Sequence, residues 1–170
     1  MNKLKPIDCR ILFELVKDSR KSDRQIAKAI KTSQPTVTKR RKFLERTLVQ
    51  EYTLIPRVDK LGFEILAFTF VKSALKRATL KARKEATLAG REWIMRQPNV
   101  IFASSGQGLG WDGLAISLHK DYSDYRAFVQ KMKDEMSSAV QEIESFITLT
   151  NPERVVKLLS FRYLAESQVF

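Results

Sequence analysis

Residues 25–44 constrain this chain most, because they carry the pattern of two short helices that meet at a tight corner. The first helix opens at Ser22, which stands three residues before a glutamine and so matches a capping box. Beyond the corner, Ser33 can cap a second helix, and Pro35 in its first turn removes no intrahelical hydrogen bond. The sequence therefore predicts a helix-turn-helix.

The second helix separates into a polar and an apolar face at about 100° per residue. The polar face carries Pro35, Thr38, Lys39, Lys42 and Arg46, and the apolar face carries Val37, Leu44 and Leu48. No Asp or Glu occurs between Asp23 and Glu45, whereas an ordinary solvated helix usually mixes acids with bases. We interpret this helix as one that lies in a DNA groove, with a plain surface helix as the alternative.

Charge is concentrated at the start of the chain. The 170 residues carry a net charge of +12, of which +9 lies in residues 1–60 and +3 in residues 61–170. A positive field attracts polyanions without distinguishing DNA from RNA or an anionic membrane, and the helix pair favours double-stranded DNA. With one cysteine, no signal peptide and no apolar run of membrane-spanning length, we expect a cytoplasmic protein that makes no membrane contact.

The rest of the first domain supports the helix pair. Apolar residues recur at helical spacing from Pro6 to Asp18, which predicts a third helix that covers the other two. Residues 49–58 are rich in β-forming residues and contain Pro56, a pattern typical of a short edge strand or wing. Residues 1–60 are therefore predicted to form a winged helix-turn-helix DNA-binding domain.

Residues 61–170 are predicted to form a ferredoxin-like domain, so the fold class is α+β. The predicted elements are strands at 63–71, 100–104, 114–118 and 143–149, and helices at 75–97 and 122–136. This βαββαβ order gives a four-stranded antiparallel sheet with both helices on one face. The apolar stripes of the helices are interpreted as core, with no cofactor. A terminal helix is expected from Asn151 to about Ala165.

One face of that sheet is predicted to be an interface. In the first strand Leu66, Phe68 and Phe70 point away from Ile65, Ala67 and Val71. Because the helices cover one face only, the second apolar face predicts a homodimer through this domain, with tetramer and octamer left open. Twofold symmetry would place two DNA-reading helices at half-sites roughly 34 Å apart.

Several motifs taken in order resemble the Lrp/AsnC family of transcription regulators, which join a winged helix-turn-helix to a ferredoxin-like ligand-sensing domain. They are IDCRIL at 7–12, SRKSDRQIA at 19–27, SQPTVTKR at 33–40, LE at 44–45 and KLGF at 60–63. The resemblance covers almost the whole chain. It implies a sequence-specific DNA-binding regulator, modulated in some relatives by an amino acid.

The resemblance also implies which residues contact DNA. It assigns Ser33, Thr36, Thr38, Lys39 and Arg40 to the DNA-facing turn, and helical projection extends the surface to Gln34, Lys42 and Arg46. Basic side chains would anchor phosphates while Gln34, Thr36 or Thr38 reaches base edges. Arg40 has a second interpretation, since it projects near the buried face and could pair instead with an acid such as Glu14 or Glu45.

Three residues depart from the family pattern. Lys31 and Thr47 stand where the family usually has glycine, and a residue with a Cβ is strained in the left-handed conformation. This predicts a wider corner and a longer DNA-reading helix. Arg41 occupies an inward, apolar position, from which its stem would run along the core edge.

A glycine-rich segment is the candidate effector site. It comprises Gly106, Gly108, Gly110, Trp111 and Asp112. The resemblance implies that backbone amides here hold the carboxylate of an amino acid and that Asp112 holds its ammonium. The alternative is a flexible hairpin with Trp111 as a structural plug. A phosphate loop is excluded, because no Lys-Ser/Thr pair follows the glycines.

Catalytic and metal sites are poorly supported. The one histidine, His119, and the one cysteine, Cys9, are far apart in sequence and supply no metal cluster. His119 is expected to be a solvent-exposed loop residue, not a triad member with Asp121. We therefore expect no enzyme, the alternatives being a sirohaem-decarboxylase-like enzyme or a DNA-coating protein without sequence preference.

The basic residues Lys76, Arg77, Lys81, Arg83 and Lys84 are interpreted as a solvated helix face or, in a larger assembly, as a guide for wrapped DNA.

Overall fold

The computed structural model describes residues 4–74 and 79–167, which form two compact units. One unit contains the described residues up to Ile55 together with those from Leu158 onward, and the other runs from Pro56 to Lys157. The first unit is helical, and the second is built on a β-sheet. The end of the chain thus belongs to the helical unit, although the boundary predicted at residue 60 groups it with the sheet.

The order of the helices and strands agrees with the sequence prediction over most of the chain. They are α1 (Pro6–Lys17), α2 (Asp23–Ala29), α3 (Gln34–Thr47), a 3-10 turn (Val58–Leu61), β1 (Ile65–Ser73), α4 (Leu80–Met95), β2 (Val100–Gly108), β3 (Trp111–His119), α5 (Tyr122–Glu135), β4 (Val140–Leu149) and α6 (Arg162–Glu166). Residues 75–78, which include Lys76 and Arg77 of the basic stretch, lie outside the described residues. Helix α4 begins where Thr79 accepts a hydrogen bond from the Ala82 amide at 3.3 Å.

The helical unit closes on one apolar core. Its buried members are Ile11, Leu15, Ile26, Ala27, Ile30, Val37 and Leu44. Helix α6 packs against α1, and its Ala165 is fully buried. The helix-turn-helix predicted from the sequence is confirmed.

Two predicted elements are absent or shortened. Within the described chain, residues 49–57 contain no strand, so the predicted wing is wrong: an extended segment needs a neighbouring strand to complete its hydrogen bonds, and Pro56 removes one donor. The predicted terminal helix is also wrong over most of its length. Asn151 caps a single turn, with its side chain 3.2 Å from the Arg154 amide, and the helix begins only at Arg162. Val156 is fully exposed, so no apolar packing supports a helix there.

The second unit confirms the predicted ferredoxin-like topology. Its four strands lie in the order β2-β3-β1-β4, and each neighbouring pair is antiparallel. The core between helices and sheet contains Trp93 from α4 and Phe128 and Met132 from α5. The two aromatic rings meet with centroids 5.8 Å apart.

The glycine-rich segment is a tight hairpin, shorter than the gap between the strands predicted at 100–104 and 114–118. Strand β2 continues to Gly108, and the turn consists of Leu109 and Gly110 alone, with φ of +52° and +85°. Two successive positive φ angles suit the twist of a two-residue hairpin. Gly106 and Gly108 are therefore strand residues, because pairing with β3 extends β2 beyond the predicted end at Ser104.

The sheet face away from the helices is largely apolar, although Ser104, Glu144 and Thr148 also lie on it. Alternation along the strands places Leu66, Phe68, Phe70, Phe102, Leu114, Ile116, Leu118 and Phe146 on it. Phe68 and Phe146 are cross-strand partners whose ring centroids lie 6.1 Å apart. Phe102 and Phe146 are 52% and 64% exposed, so large aromatic surfaces on this face meet solvent.

His119 is completely buried, which corrects the prediction of an exposed loop residue. Its Nε2 lies 2.8 Å from the Ser117 hydroxyl, and its ring packs against Tyr125 and Phe128 of α5. Its Nδ1 lies 3.5 Å from Asp124. The prediction failed because β3 continues to residue 119, and alternation turns this side chain toward α5.

We expect the second unit to lose stability as the pH falls below about 6.5, the ordinary histidine value. Burial lowers the pKa of His119, and the nearby Asp124 carboxylate only partly opposes this. The folded state therefore binds a proton less readily than the unfolded state, so stability is present above the unfolded pKa and is lost as pH falls toward the folded pKa. Urea unfolding followed by emission of Trp93 and Trp111, both in this unit, should show the loss between neutral pH and pH 5. His119→Gln should flatten that dependence, and an equally steep profile in the variant would contradict the assignment.

Candidate nucleic-acid interface

Side-chain caps define both helices of the helix-turn-helix. Ser22 and Gln25 form the predicted capping box: the Gln25 amide donates to the Ser22 hydroxyl at 3.3 Å, and the Gln25 side chain accepts from the Ser22 amide at 2.8 Å. Ser33 caps α3, with its hydroxyl accepting from the Thr36 amide at 3.4 Å. The start of α3 is thereby fixed, and its first turn is exposed at Gln34 and Pro35.

The corner between α2 and α3 is tight even though glycine is absent. Lys31 adopts the left-handed conformation with φ of +54°. The Lys31 amide donates to Lys28 O at 3.4 Å, and the Thr32 amide donates to Ala27 O at 2.9 Å. These two bonds are those of a Schellman motif, so the wider corner predicted from the missing glycine is wrong. Lys31 instead adopts the left-handed conformation in spite of its steric cost.

We expect Lys31→Gly to stabilise the helical unit by about 1 kcal/mol, because glycine enters the left-handed conformation without the steric cost that a Cβ carries. Urea unfolding followed by ellipticity at 222 nm would measure it. Lys28→Gly is the matched control: its position is helical and exposed, so it should cost about 1 kcal/mol. A Lys31→Gly protein no more stable than the parent would show that the corner stores no strain.

Packing of α3 decides which of its side chains face outward. Val37 and Leu44 are fully buried in the core of the helical unit. Gln34, Lys39, Lys42 and Arg46 are exposed, and a shallow depression is lined by Gln34, Pro35, Thr38, Lys39 and Lys42. No described residue forms a hydrogen bond or ion pair with the side chain of Lys39 or Lys42. Arg46 Nε donates to the backbone oxygen of Lys42 at 3.3 Å.

Arg40 points the other way and binds Asp8 of α1. Its Nε and Nη2 donate to the two carboxylate oxygens at 2.6 and 2.5 Å, and the Asp8 side chain is fully buried. The hydrogen bonds from Arg40 hold the pKa of the Asp8 carboxyl below its usual value and outweigh burial, which would raise it. Arg40 therefore makes an ion pair, as its second interpretation predicts, but the partner is Asp8 and not Glu14 or Glu45. Asp8 could have been found because it falls on the buried stripe of α1 with Ile11, and a buried acid requires a partner.

Arg41 and Thr38 also hold the helices together. Arg41 donates to Glu45 at 2.8 Å and to Asp23 at 3.1 Å, while its guanidinium lies 5.8 Å from the Tyr52 ring centroid. Thr38 donates to the second carboxylate oxygen of Asp23 at 2.6 Å. Arg41 therefore points inward as predicted, and its guanidinium is paired with acids of α2 and α3.

The charges of the helical unit are thus sorted into two groups. Asp8, Asp23 and Glu45 neutralise the inner arginines Arg40 and Arg41. The outer cations Lys39, Lys42 and Arg46 have no acidic partner among the described residues. A helix that presents unneutralised cations beside hydroxyl and amide groups matches the chemistry of a DNA groove, where phosphates flank base edges.

The candidate effector residues of the second unit do not share one surface. The Trp111 ring lies 6.2 Å from that of Phe70, on the sheet face away from the helices. Asp112 instead lies beneath α4, and its Oδ2 accepts from the Ser73 amide at 2.9 Å. Gly106, Gly108 and Gly110 are exposed along the hairpin.

The described part of the chain shows neither a metal cluster nor a membrane span. No group of three or more His, Cys, Asp or Glu residues within 4–74 and 79–167 could hold a metal ion. In the same ranges, every helix is too short or too polar to cross a bilayer.

Comparisons with known proteins agree with this geometry. Residues 6–45 match the AsnC-type helix-turn-helix domain. The chain is 36% identical over 151 residues to the transcriptional regulator LrpC of Bacillus subtilis, which covers 88% of this chain and 85% of LrpC. It is 28% identical over 127 residues to an HTH-type regulator of Pyrococcus furiosus, covering 74% and 79% of the two chains.

A solved structure shares the fold. The transcriptional regulator NMB0573 of Neisseria meningitidis, determined as a complex with L-Met, has a TM-score of 0.76 and 20% identity, covering 92% of this chain and 97% of that one. The order of elements, the exposed α3 and the extent of identity with LrpC lead to one conclusion. The chain belongs to the Lrp/AsnC family of DNA-binding transcription regulators.

Proposed function

We propose that this regulator works in the cytoplasm as a homodimer, or a multiple of one, that inserts two copies of α3 into successive major grooves. The observation that carries the proposal is the sorting of charge on α3. Lys39, Lys42 and Arg46 face outward without acidic partners among the described residues, and they would neutralise backbone phosphates. Gln34 and Thr36, in the first turn, would reach base edges. The proposed activity is binding, without catalysis.

Arg40 is proposed to support this surface and not to touch DNA. Its Nε and Nη2 donate to Asp8, so contact with a phosphate would leave a buried carboxylate without its cationic partner. Thr38 is proposed to act in a similar way through Asp23. The DNA contact surface then comprises Ser33, Gln34, Thr36, Lys39, Lys42 and Arg46.

The apolar sheet face supports the homodimer. Its exposed aromatic residues, Phe102 and Phe146, flank a continuous row of apolar residues. Exposed apolar surface of this extent is typical of an interface, and a second copy of the same face gives a closed twofold pair. Tetramers or octamers would be built from this dimer.

Selection of bound duplexes from a random pool tests the proposal. The full chain should recover two inverted half-sites whose centres are about 10 base pairs apart, because twofold-related helices read one side of the duplex. The preference should survive moderate salt, which removes most phosphate-driven binding. Recovery of no motif at any salt concentration would favour the DNA-coating alternative.

An amino acid is the proposed effector class. The Neisseria meningitidis relative was solved with L-Met, and the second unit of this chain has a like fold. The expected effect is a change in operator affinity when the amino acid binds, through a coupling free energy between the two units. Operator gel shifts with and without millimolar amino acids measure that coupling.

A further inference from the structure

The start of α3 carries four uncharged polar side chains, and three of them are already hydrogen-bonded within the helical unit. The Ser33 and Thr36 hydroxyls lie 2.7 Å apart, and Ser33 also accepts from the Thr36 amide. Thr38 donates its hydroxyl proton to Asp23 at 2.6 Å. The fourth side chain, that of Gln34, is exposed and hydrogen-bonds to no described residue. The carboxamide of Gln34 therefore has both its donor and its acceptor available for DNA.

Gln34 also lies where a helix-turn-helix reads bases. In this motif the N-terminal residues of the second helix contact base edges in the major groove, and Gln34 is the first residue of α3. It lines the same shallow depression as Lys39 and Lys42. At 1.5 Å per residue, these lysines follow it by roughly 7.5 and 12 Å along the helix axis. Their ammonium groups would then contact phosphates on either side of the base pair that Gln34 reads.

A carboxamide discriminates between bases because it offers one donor and one acceptor side by side. Adenine presents the complementary pair in the major groove, a donor at N6 and an acceptor at N7. Guanine presents two acceptors, so the carboxamide oxygen would face a guanine oxygen, and cytosine offers a single donor at N4. A hydroxyl bonds to any base, and a lysine ammonium only donates. Gln34 is thus suited to adenine in a way that the hydroxyls and lysines of α3 are not.

We propose that Gln34 selects an adenine in each half-site of the operator. Its carboxamide oxygen accepts a hydrogen bond from adenine N6, and its carboxamide nitrogen donates one to N7. The inference rests on the proposed function, in which α3 lies in the major groove, and it adds the identity of one base to that function.

Selections from a random pool of duplexes test the assignment with the full chain and its variants. The parent motif should specify adenine at one equivalent position of both half-sites. Gln34→Ala should abolish the preference at that position alone, since it removes only the carboxamide. Gln34→Glu should change the preferred base there to cytosine, because a carboxylate accepts from N4 and is repelled by N7. Gln50→Ala, the matched control, removes an exposed glutamine outside α3 and should return the parent motif.

Affinities for altered duplexes test the two hydrogen bonds. Replacing the selected adenine with 7-deazaadenine, which has carbon in place of N7, should weaken binding of the parent about fivefold. Replacing that A·T pair with G·C should weaken it about tenfold or more. In the Gln34→Ala protein each change should cost less than about threefold, because the contact is already absent. Ellipticity at 222 nm verifies that each variant is folded.

The outcomes separate failure of this inference from failure of the proposed function. If the parent selection yields no motif, sequence-specific reading is rejected together with the role of Gln34. If the parent yields two half-sites and Gln34→Ala yields the same motif, groove reading stands and Gln34 selects no base. Loss of a preference for a base other than adenine would overturn the assignment of adenine. An equal penalty for 7-deazaadenine in the parent and in Gln34→Ala would overturn the hydrogen bond to N7.

Discussion

Replacing Lys39 and Lys42 together with alanine is expected to weaken binding to every duplex by about 100-fold at physiological salt, or about tenfold for each lost contact to phosphate. Both side chains are exposed, and no described residue pairs with them. Each lysine that neutralises a phosphate releases a counterion on binding. The slope of log affinity against log salt should therefore become shallower by about 2. A gel-shift titration at several salt concentrations measures both quantities.

Lys120→Ala combined with Lys133→Ala is the matched control, because it removes the same charge from exposed positions of the second unit. If net charge alone attracts DNA, the two double variants will lose affinity equally. If α3 lies in the groove, only the first will change the slope. An unaltered slope in the Lys39 and Lys42 variant would refute the contact assignment, whatever the change in affinity.

Arg40→Met is expected to destabilise the helical unit by about 3 kcal/mol at neutral pH, because breaking a buried ion pair leaves the remaining charge buried without its counter-charge. That charge is the Asp8 carboxylate, which is fully buried and held by two hydrogen bonds from Arg40. Lys39→Met is the control on the same helix. Its parent side chain is exposed, so the change should be within about 0.5 kcal/mol.

The pH dependence identifies the mechanism of that loss. In the parent, the folded pKa of Asp8 is depressed below 3.8, so the pair stabilises the fold above that value and its contribution is lost as pH falls through the folded pKa. In the Arg40→Met protein the carboxyl keeps, of its hydrogen bonds to described residues, only the one from the Lys5 amide. Burial then raises its pKa relative to the parent, so the penalty for burying its charged form grows as pH rises. The stability difference should narrow as pH falls from 7 toward 4. A constant difference would mean that Arg40 contributes by packing alone.

The helix pair and the sheet topology were predictable because each is encoded by local signals. Ser22 and Ser33 mark helix starts through hydrogen bonds within three residues, and the strands and helices of the second unit each have their own periodicity. The wing was not predictable in this way. Strand formation over residues 49–57 depends on a neighbouring segment to complete its hydrogen bonds, and propensity says nothing about whether one is present.

The candidate site was predictable only on its outer face. Helical projection identified Lys39, Lys42 and Arg46 as outward, because projection depends on spacing alone. The inner contacts depend on tertiary packing: Asp8 lies 32 residues from Arg40 in sequence, and no local pattern connects them. The tight corner between α2 and α3 could not be predicted for the same reason. The Schellman hydrogen bonds and the core that α2 and α3 share outweigh the steric cost of the left-handed conformation at Lys31.

The chain passes between its two units twice, at residues 55–56 and again at 157–158. Helix α6 is therefore part of the helical unit, where it packs against α1, and Ala165 is buried within that unit. Deletion of the residues after β4 would therefore remove α6 from the helical unit that carries α3, although α6 lies far from α3 in sequence.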